Sequence, residues 1–239
     1  MAVIGGFPEV WLDDAPTELL AYLTEAIVLR DVSDLESIER PSVFRKLLEL
    51  SAADIGNLIN LTEWASIAQA SRTTVSRYLD LAQEAHVLRL VPPFVGGKRR
   101  EITGSPKVFF LDNGLRNVLF GGFGPLEDRL DRGALWENLV FCELSKQTRL
   151  LDEILFWRSI NGAEVDFVVR RREKILAIEA KASALRRPKL SRSGRSFVDA
   201  YQPSAFVVIH DGERMESEHA GTPLLFRRLW EISEVLETL

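Results

Sequence analysis

Three strand-like runs, "EILFWRS" at 153–159, "AEVDFVVR" at 163–170 and "KILAIEAKA" at 174–182, follow one another with only a few residues between them. Connections that short leave no room for a crossover, so each run is expected to pair with the next in one sheet. The first connection, "INGA", carries an Asn-Gly pair suited to a hairpin turn. The second is the basic "RREK". Buried strands are normally apolar, because an unpaired charge is costly to desolvate. Yet the second run opens on Glu164 and Asp166, and the third closes on Glu179 and Lys181. Alternation places Glu164, Asp166 and Val168 on one face, and Ile175, Ala177, Glu179 and Lys181 on one face of the neighbouring run. Paired through the short turn, Asp166 and Glu179 converge at one end of the sheet. A bound cation explains such a convergence; a solvated sheet edge is the plainer explanation.

The preceding run, "GALWENLVFCELSKQ" (133–147), has helical spacing. Glu137 shares a face with Ala134, Val140 and Phe141, three or four residues away, so its carboxylate travels with the apolar stripe. A bare carboxylate there is unfavourable, whereas one beside a metal or Lys181 is accounted for. Glu137, Asp166, Glu179 and Lys181 together form a usable hydrolytic set. Asp166 and Glu179 can hold Mg2+ or Mn2+ with water and a backbone carbonyl such as that of Ala180. The metal would polarise a phosphodiester and acidify a bound water, while Lys181 orients that water or stabilises charge on the phosphate. Glu137 would complete or tune the shell. A helix at 187–201, a strand at 204–212 and a closing helix over 224–239 are expected to follow.

Upstream, "PTELLAYLTEAIVLRDVSDL" (16–35) and "PSVFRKLLELSAADIG" (41–56) read as helices, each opening on proline. Thr62 can cap a short helix and Ser71 a longer one, "RTTVSRYLDLAQEA". Two strand-like segments follow, "HVLRLVPPF" and "PKVFFLD", joined by the basic loop "GGKRREITGS". Short helix, turn, longer helix and a two-stranded wing is the order of a winged helix-turn-helix. Its second helix would offer Arg72, Thr73, Thr74, Ser76 and Arg77 to phosphates and base edges, with Lys98, Arg99 and Arg100 on the wing. The same helix pair also serves as a protein-packing module. The Gly-rich stretch 114–133 reads as a short helix and a linker, not a phosphate cradle, since no Lys-Ser/Thr pair follows it. No P-loop occurs in the chain, so ATP binding is not expected.

Charge sharpens the picture. The 239-residue chain carries a formal net charge of -5, which does not suit a generic polyanion binder. Residues 158–195 nevertheless hold eleven Lys or Arg against four Asp or Glu, a local excess of seven. Phosphates feel such a field, and Arg186, Arg187 and Lys189 sit close in sequence to Lys181. One cysteine, Cys142, excludes an internal disulfide and a cysteine-cluster zinc site. His86, His210 and His219 lack metal-ligand spacing. The opening residues do not resemble a signal peptide, and no apolar run nears the ~18 residues of a membrane span. A cytoplasmic protein with no membrane partner is expected.

Two resemblances attach to these motifs. "GAEVDFVV" and "ILAIEAKAS", after the helix bearing "WENLVFCEL", resemble the PD-(D/E)xK nuclease superfamily in the order Glu137, Asp166, Glu179-x-Lys181. Val165 stands where the name-giving proline would precede Asp166. Over nearly its whole length, through "GGFPEVW", "RTTVSRYLDLAQEAHVLRLVPPF", "SPKVFFLDNGLRNVLFG" and "GALWENLVFCEL", the chain resembles the C-terminal half of prokaryotic AAA-type ATP-binding proteins, a domain of unknown function. The resemblance implies an upstream ATPase module, with "GGFPEV" at the junction, that this chain lacks. The expected architecture is α+β or α/β. It comprises an N-terminal helical segment (1–40), a winged helix-turn-helix domain (41–125) and a restriction-endonuclease-like PD-(D/E)xK domain (126–239). Two functions stay open. One is an Mg-dependent nuclease acting on nucleic acid, in particular DNA. The other is a non-catalytic DNA- or protein-binding module that regulates a separate ATPase module or forms a homo-oligomer.

Overall fold

The computed structural model describes residues 2–26, 38–97 and 104–239. Lys98, Arg99 and Arg100, and most of the second half of the helix expected over 16–35, lie outside the described residues. The chain is mixed α+β and divides into two compact units. The first comprises residues 1–90 and 107–139, the second residues 91–106 and 140–239. The chain enters the second unit at Val91, returns to the first at Lys107 and leaves it again within a helix.

In the first unit, α1 (Pro8–Leu12), α2 (Pro16–Leu23) and α3 (Pro41–Ala53) each begin on proline, whose missing N–H costs nothing in a first turn. Then come α4 (Leu61–Ile67) and α5 (Arg72–Glu84). Strands β1 (Leu88–Val91) and β2 (Lys107–Phe110) form a two-stranded sheet, followed by α6 (Asn113–Leu119) and the start of α7 (Arg132–Gln147). Ser71 caps α5 as expected, accepting the Thr74 N–H at 3.0 Å. The cap of α4 is Asn60, which accepts the Glu63 N–H, and Thr62 lies inside the helix. Asn is the stronger capping residue, so the helix starts two positions before the expected one. Phe44, Leu47, Leu48, Trp64, Val75 and Tyr78 form part of a contiguous core with Phe110 and Leu115.

A buried polar network ties this core to the start of the chain. Asp112 caps α6 by accepting the Gly114 and Leu115 N–H groups at 2.7 and 3.1 Å, and it also accepts the Gly6 N–H at 2.6 Å. Asn113 and Asn117 donate to the carbonyls of Ala2 and Val3, both at 2.8 Å. Gly5 has φ +84°, and a Cβ there would meet the Asp112 carboxylate at 2.1 Å, so the first glycine of the opening motif is a steric requirement. The Arg116 side chain is buried and bonded to the Ala52 carbonyl at 2.7 Å and to Asp131.

The second unit is a six-stranded mixed sheet in the order β3–β4–β5–β6–β8–β7. Its strands are β3 (Glu153–Arg158), β4 (Glu164–Arg171), β5 (Lys174–Lys181), β6 (Ala205–His210), β7 (Met215–His219) and β8 (Thr222–Arg227). β3, β4 and β5 pair antiparallel through tight turns. Gly162 of the Asn-Gly turn has φ +81°, the backbone conformation that turn needs. α8 (Arg192–Tyr201) carries the chain from β5 across to parallel β6. Its Phe197 and Tyr201 form an aromatic cluster with Phe94 and Trp157. α9 (Ile232–Leu236) closes the chain. The single helix expected over 224–239 is replaced by β8 and this short helix. In "TPLLFR", Leu224 and Phe226 alternate inward while β8 pairs with β6 on one side and β7 on the other. Leu224, Leu225 and Phe226 fit helix and strand periods alike, and sheet pairing decides.

Candidate functional site

The β4–β5 ladder runs from Arg171↔Lys174 to Phe167↔Ile178. Past that pair the strands take other neighbours. β4 continues beside β3 through Trp157↔Val165 and Arg158↔Glu164, while β5 continues beside β6 as far as Lys181↔His210. Between Leu155↔Val168 and Trp157↔Val165, β3 advances two residues and β4 three, so β4 bulges around Asp166 and Phe167. Val165 and Val168 consequently belong to the same apolar cluster although they are three apart. The strict alternation expected for Glu164, Asp166 and Val168 is broken, because a bulge re-aims the side chains it carries.

Asp166 thereby turns toward β5. Its Oδ2 accepts the Ala180 N–H at 2.7 Å, a side-chain bond made where the ladder has ended. Glu179 is buried at 4% exposure. One of its oxygens accepts the Ser191 hydroxyl, and the other lies 3.8 Å from Lys181 Nζ. Burial pushes the Glu179 carboxyl above its ordinary range and Asp166 adds to that, while Lys181 and the Ser191 hydrogen bond pull the other way. Ser191 also caps α8, accepting the Gly194 N–H at 2.8 Å. One hydroxyl therefore ties Glu179 to the start of that helix.

Asp166, Glu179 and Lys181 are thus brought to one end of the β4–β5 pair. Glu137 belongs to the first unit, where its Oε1 lies 3.0 Å from Lys107 Nζ and Gly56 packs against its carboxylate. Among the described residues no group of three or more His, Cys, Asp or Glu side chains could hold a metal ion. Asp166 and Glu179 are hard oxygen donors of the kind Mg2+ takes, with water completing its shell, so the pair fits such an ion as two ligands.

A cavity of about 490 Å3 opens beside Glu179 and Lys181. It is also lined by Lys189, Ser191, Arg192 and Arg195. Arg186 and Arg187 are exposed on the loop before it. The local basic excess is therefore divided. Arg170 and Arg171, near the hairpin turn, pair with Glu153 and Asp152, and Lys181, Lys189, Arg192 and Arg195 gather at the other end of β5. In the first unit Arg72, Thr73, Ser76 and Arg77 are exposed on α5. Thr74 is half-buried, bonded to Ser71 at 2.8 Å. Sequence reasoning passed over Ser191, Arg192 and Arg195 as site residues. The signal was the helix start: Ser191 is a preferred capping residue, but the helix was expected from position 187. It also passed over Lys107, which reads as an ordinary exposed strand end.

A family model described as domain of unknown function DUF4143 matches residues 132–226. An uncharacterized protein of Haemophilus influenzae is 28% identical over 189 residues, 73% of this chain and 43% of its own length. One of Mycobacterium tuberculosis is 28% identical over 190 residues, 77% of this chain and 42% of its own. One of Methanocaldococcus jannaschii is 29% identical over 173 residues, 69% and 37% respectively. The chain thus spans less than half the length of these curated relatives. A second family model, described as domain of unknown function DUF8612, matches residues 1–125. That match covers more than half of the sequence, and the chain belongs to the DUF8612 family.

Proposed function

We propose that the second unit is a PD-(D/E)xK nuclease-like domain. On this reading Asp166 and Glu179 hold Mg2+ or Mn2+ and Lys181 assists hydrolysis of a phosphodiester. The single observation that carries it is the parting of β4 and β5 beyond Phe167↔Ile178, where Asp166 bonds to the Ala180 N–H between Glu179 and Lys181, the two that line a basic cavity. The metal would supply charge neutralisation and an acidified water. Lys181, 43% exposed, can reach a bound phosphate while staying within 3.8 Å of Glu179. Ser191 holds Glu179 at the start of α8. In the first unit, α4, α5 and the β1–β2 pair have the order of a winged helix-turn-helix. The exposed Arg72, Thr73, Ser76 and Arg77 suit a DNA backbone.

A second reading is a non-catalytic nucleic-acid- or protein-binding module. It is favoured by the Lys107–Glu137 pair, which gives the third expected carboxylate a cationic partner. DUF4143 is usually a C-terminal domain of AAA-type ATPases, and on this reading the chain would regulate such an ATPase module. Calorimetric titration with Mn2+ separates the two. One site that disappears in Asp166→Ala supports the first reading, and equal heats from wild type and variant support the second.

A further inference from the structure

The cavity beside Glu179 says more about its ligand than its sign of charge. Arg192 and Arg195 lie three apart at the start of α8, so they share a helix face. They line the same cavity as Lys181 and Lys189. Its remaining lining is aliphatic, from Leu185, Leu190 and Val208. None of the lining side chains is aromatic, so no base-stacking platform is present, and none is the Asn or Gln that reads adenine. Arg192 and Arg195 are exposed, and among the described residues neither pairs with a carboxylate, in contrast to Arg170 and Arg171 at the hairpin end.

We infer that this cavity grips the sugar–phosphate backbone of a nucleic-acid strand in a sequence-neutral way, with Arg192 and Arg195 as its two phosphate-binding residues. The inference rests on the reading that places a phosphodiester against Glu179 and Lys181. Groups sharing one cavity with those side chains meet the flanking phosphates of the same strand rather than base edges. The ligand class is a polyanionic nucleic-acid strand of any sequence. An arginine can also read guanine through O6 and N7, which gives a distinguishable alternative.

The test is fluorescence anisotropy of labelled single-stranded and duplex DNA, in EDTA and over a range of salt. One set of probes contains guanine and the other only adenine and thymine. Wild type is compared with the Arg192→Gln/Arg195→Gln double variant and with Arg149→Gln/Arg172→Gln, a charge-matched control because Arg149 and Arg172 line a different cavity, at the hairpin end with Glu173 and Lys174. The expected result is the same loss of affinity on every probe, about tenfold or more, for the α8 variant alone. Its log–log salt dependence on duplex should be shallower by roughly 1.8, the value for two lost phosphate contacts. Wild-type affinity in the α8 variant, an equal loss in the control, or a loss confined to guanine-containing probes would overturn the inference. A parallel cleavage assay in Mn2+ keeps the two claims apart. Binding with this signature but no cleavage removes the hydrolytic reading and leaves the inference standing. Cleavage by wild type with unchanged binding in the α8 variant does the reverse.

Discussion

Lys107 and Glu137 form an ion pair at 3.0 Å in which the lysine side chain is 2% and the carboxylate 18% exposed. Removing one partner of a buried pair leaves the other charge uncompensated. Glu137→Gln should therefore destabilise the protein by about 3 kcal/mol in EDTA, the low end of the range for buried pairs because Glu137 keeps some solvent. The double variant Glu137→Gln/Lys107→Met should recover part of that loss. Denaturant unfolding of the two single variants and the double variant, with and without Mn2+, measures the coupling. A Glu137→Gln protein as stable as wild type in EDTA, but with weaker Mn2+ binding, would instead return Glu137 to the metal site.

Ser191 joins the start of α8 to the Glu179 carboxylate. Ser191→Ala should cost about 1 kcal/mol in stability, as loss of a helix cap does, and should also weaken Mn2+ binding several-fold. Ser191→Thr keeps the hydroxyl and should restore both. Calorimetry against a thermal melt separates the roles: a stability loss with unchanged Mn2+ affinity would make Ser191 a cap and nothing more.

Asp131 supplies a pH-dependent share of the first unit's stability. Hydrogen bonding from Arg129, followed by that from Arg116, holds its carboxyl at about 2, against the opposing effect of burial. A depressed carboxyl stabilises the fold fully above its unfolded value near 3.8 and loses that contribution as pH falls toward 2. The stability gap between wild type and Asp131→Asn, on the order of 2 kcal/mol, should hold steady from about pH 5 to 7 and shrink between about pH 4 and 2. A gap that widens on acidification would contradict the assignment. Urea unfolding at a series of pH values reads it directly.

Backbone groups of the N-terminal residues bond to Asp112, Asn113 and Asn117, beside the packing of Ile4 and Phe7 against the core. Asp112→Ala removes both the α6 cap and the Gly6 contact, and should cost about 1–2 kcal/mol. Amide exchange at Gly6, Gly114 and Leu115 should accelerate together. Faster exchange at Gly114 and Leu115 with Gly6 unchanged would show that the opening residues are held by something else.

The β3–β5 part of the sheet and the meeting of Asp166 with the end of β5 were legible because short connections and helical or strand periods are local properties. The Asn-Gly turn, the Ser71 cap, the β3–β4–β5 order and the nearness of Asp166 to Glu179 follow from a few adjacent residues each. Three features depend on distant partners and were not legible. The β4 bulge around Asp166 arises from how β3 packs against it, so simple alternation mis-assigned the faces. β8 is a strand because β6 and β7 flank it, while "LLFRRLWEISEV" alone also suits a helix. The Lys107 partner of Glu137 lies thirty residues upstream, at what reads as an ordinary exposed strand end, so no local pattern announces the pair.

The most direct test of the hydrolytic assignment is a cleavage assay on single-stranded and duplex DNA with Mg2+ or Mn2+, comparing wild type, Asp166→Ala and Lys181→Ala. Expected are metal-dependent cleavage by wild type, none in EDTA, and rates lower by about 100-fold or more in both variants, the size expected when a group that stabilises the transition state is lost. No cleavage of either substrate by wild type, or equal cleavage by wild type and Lys181→Ala, would contradict it.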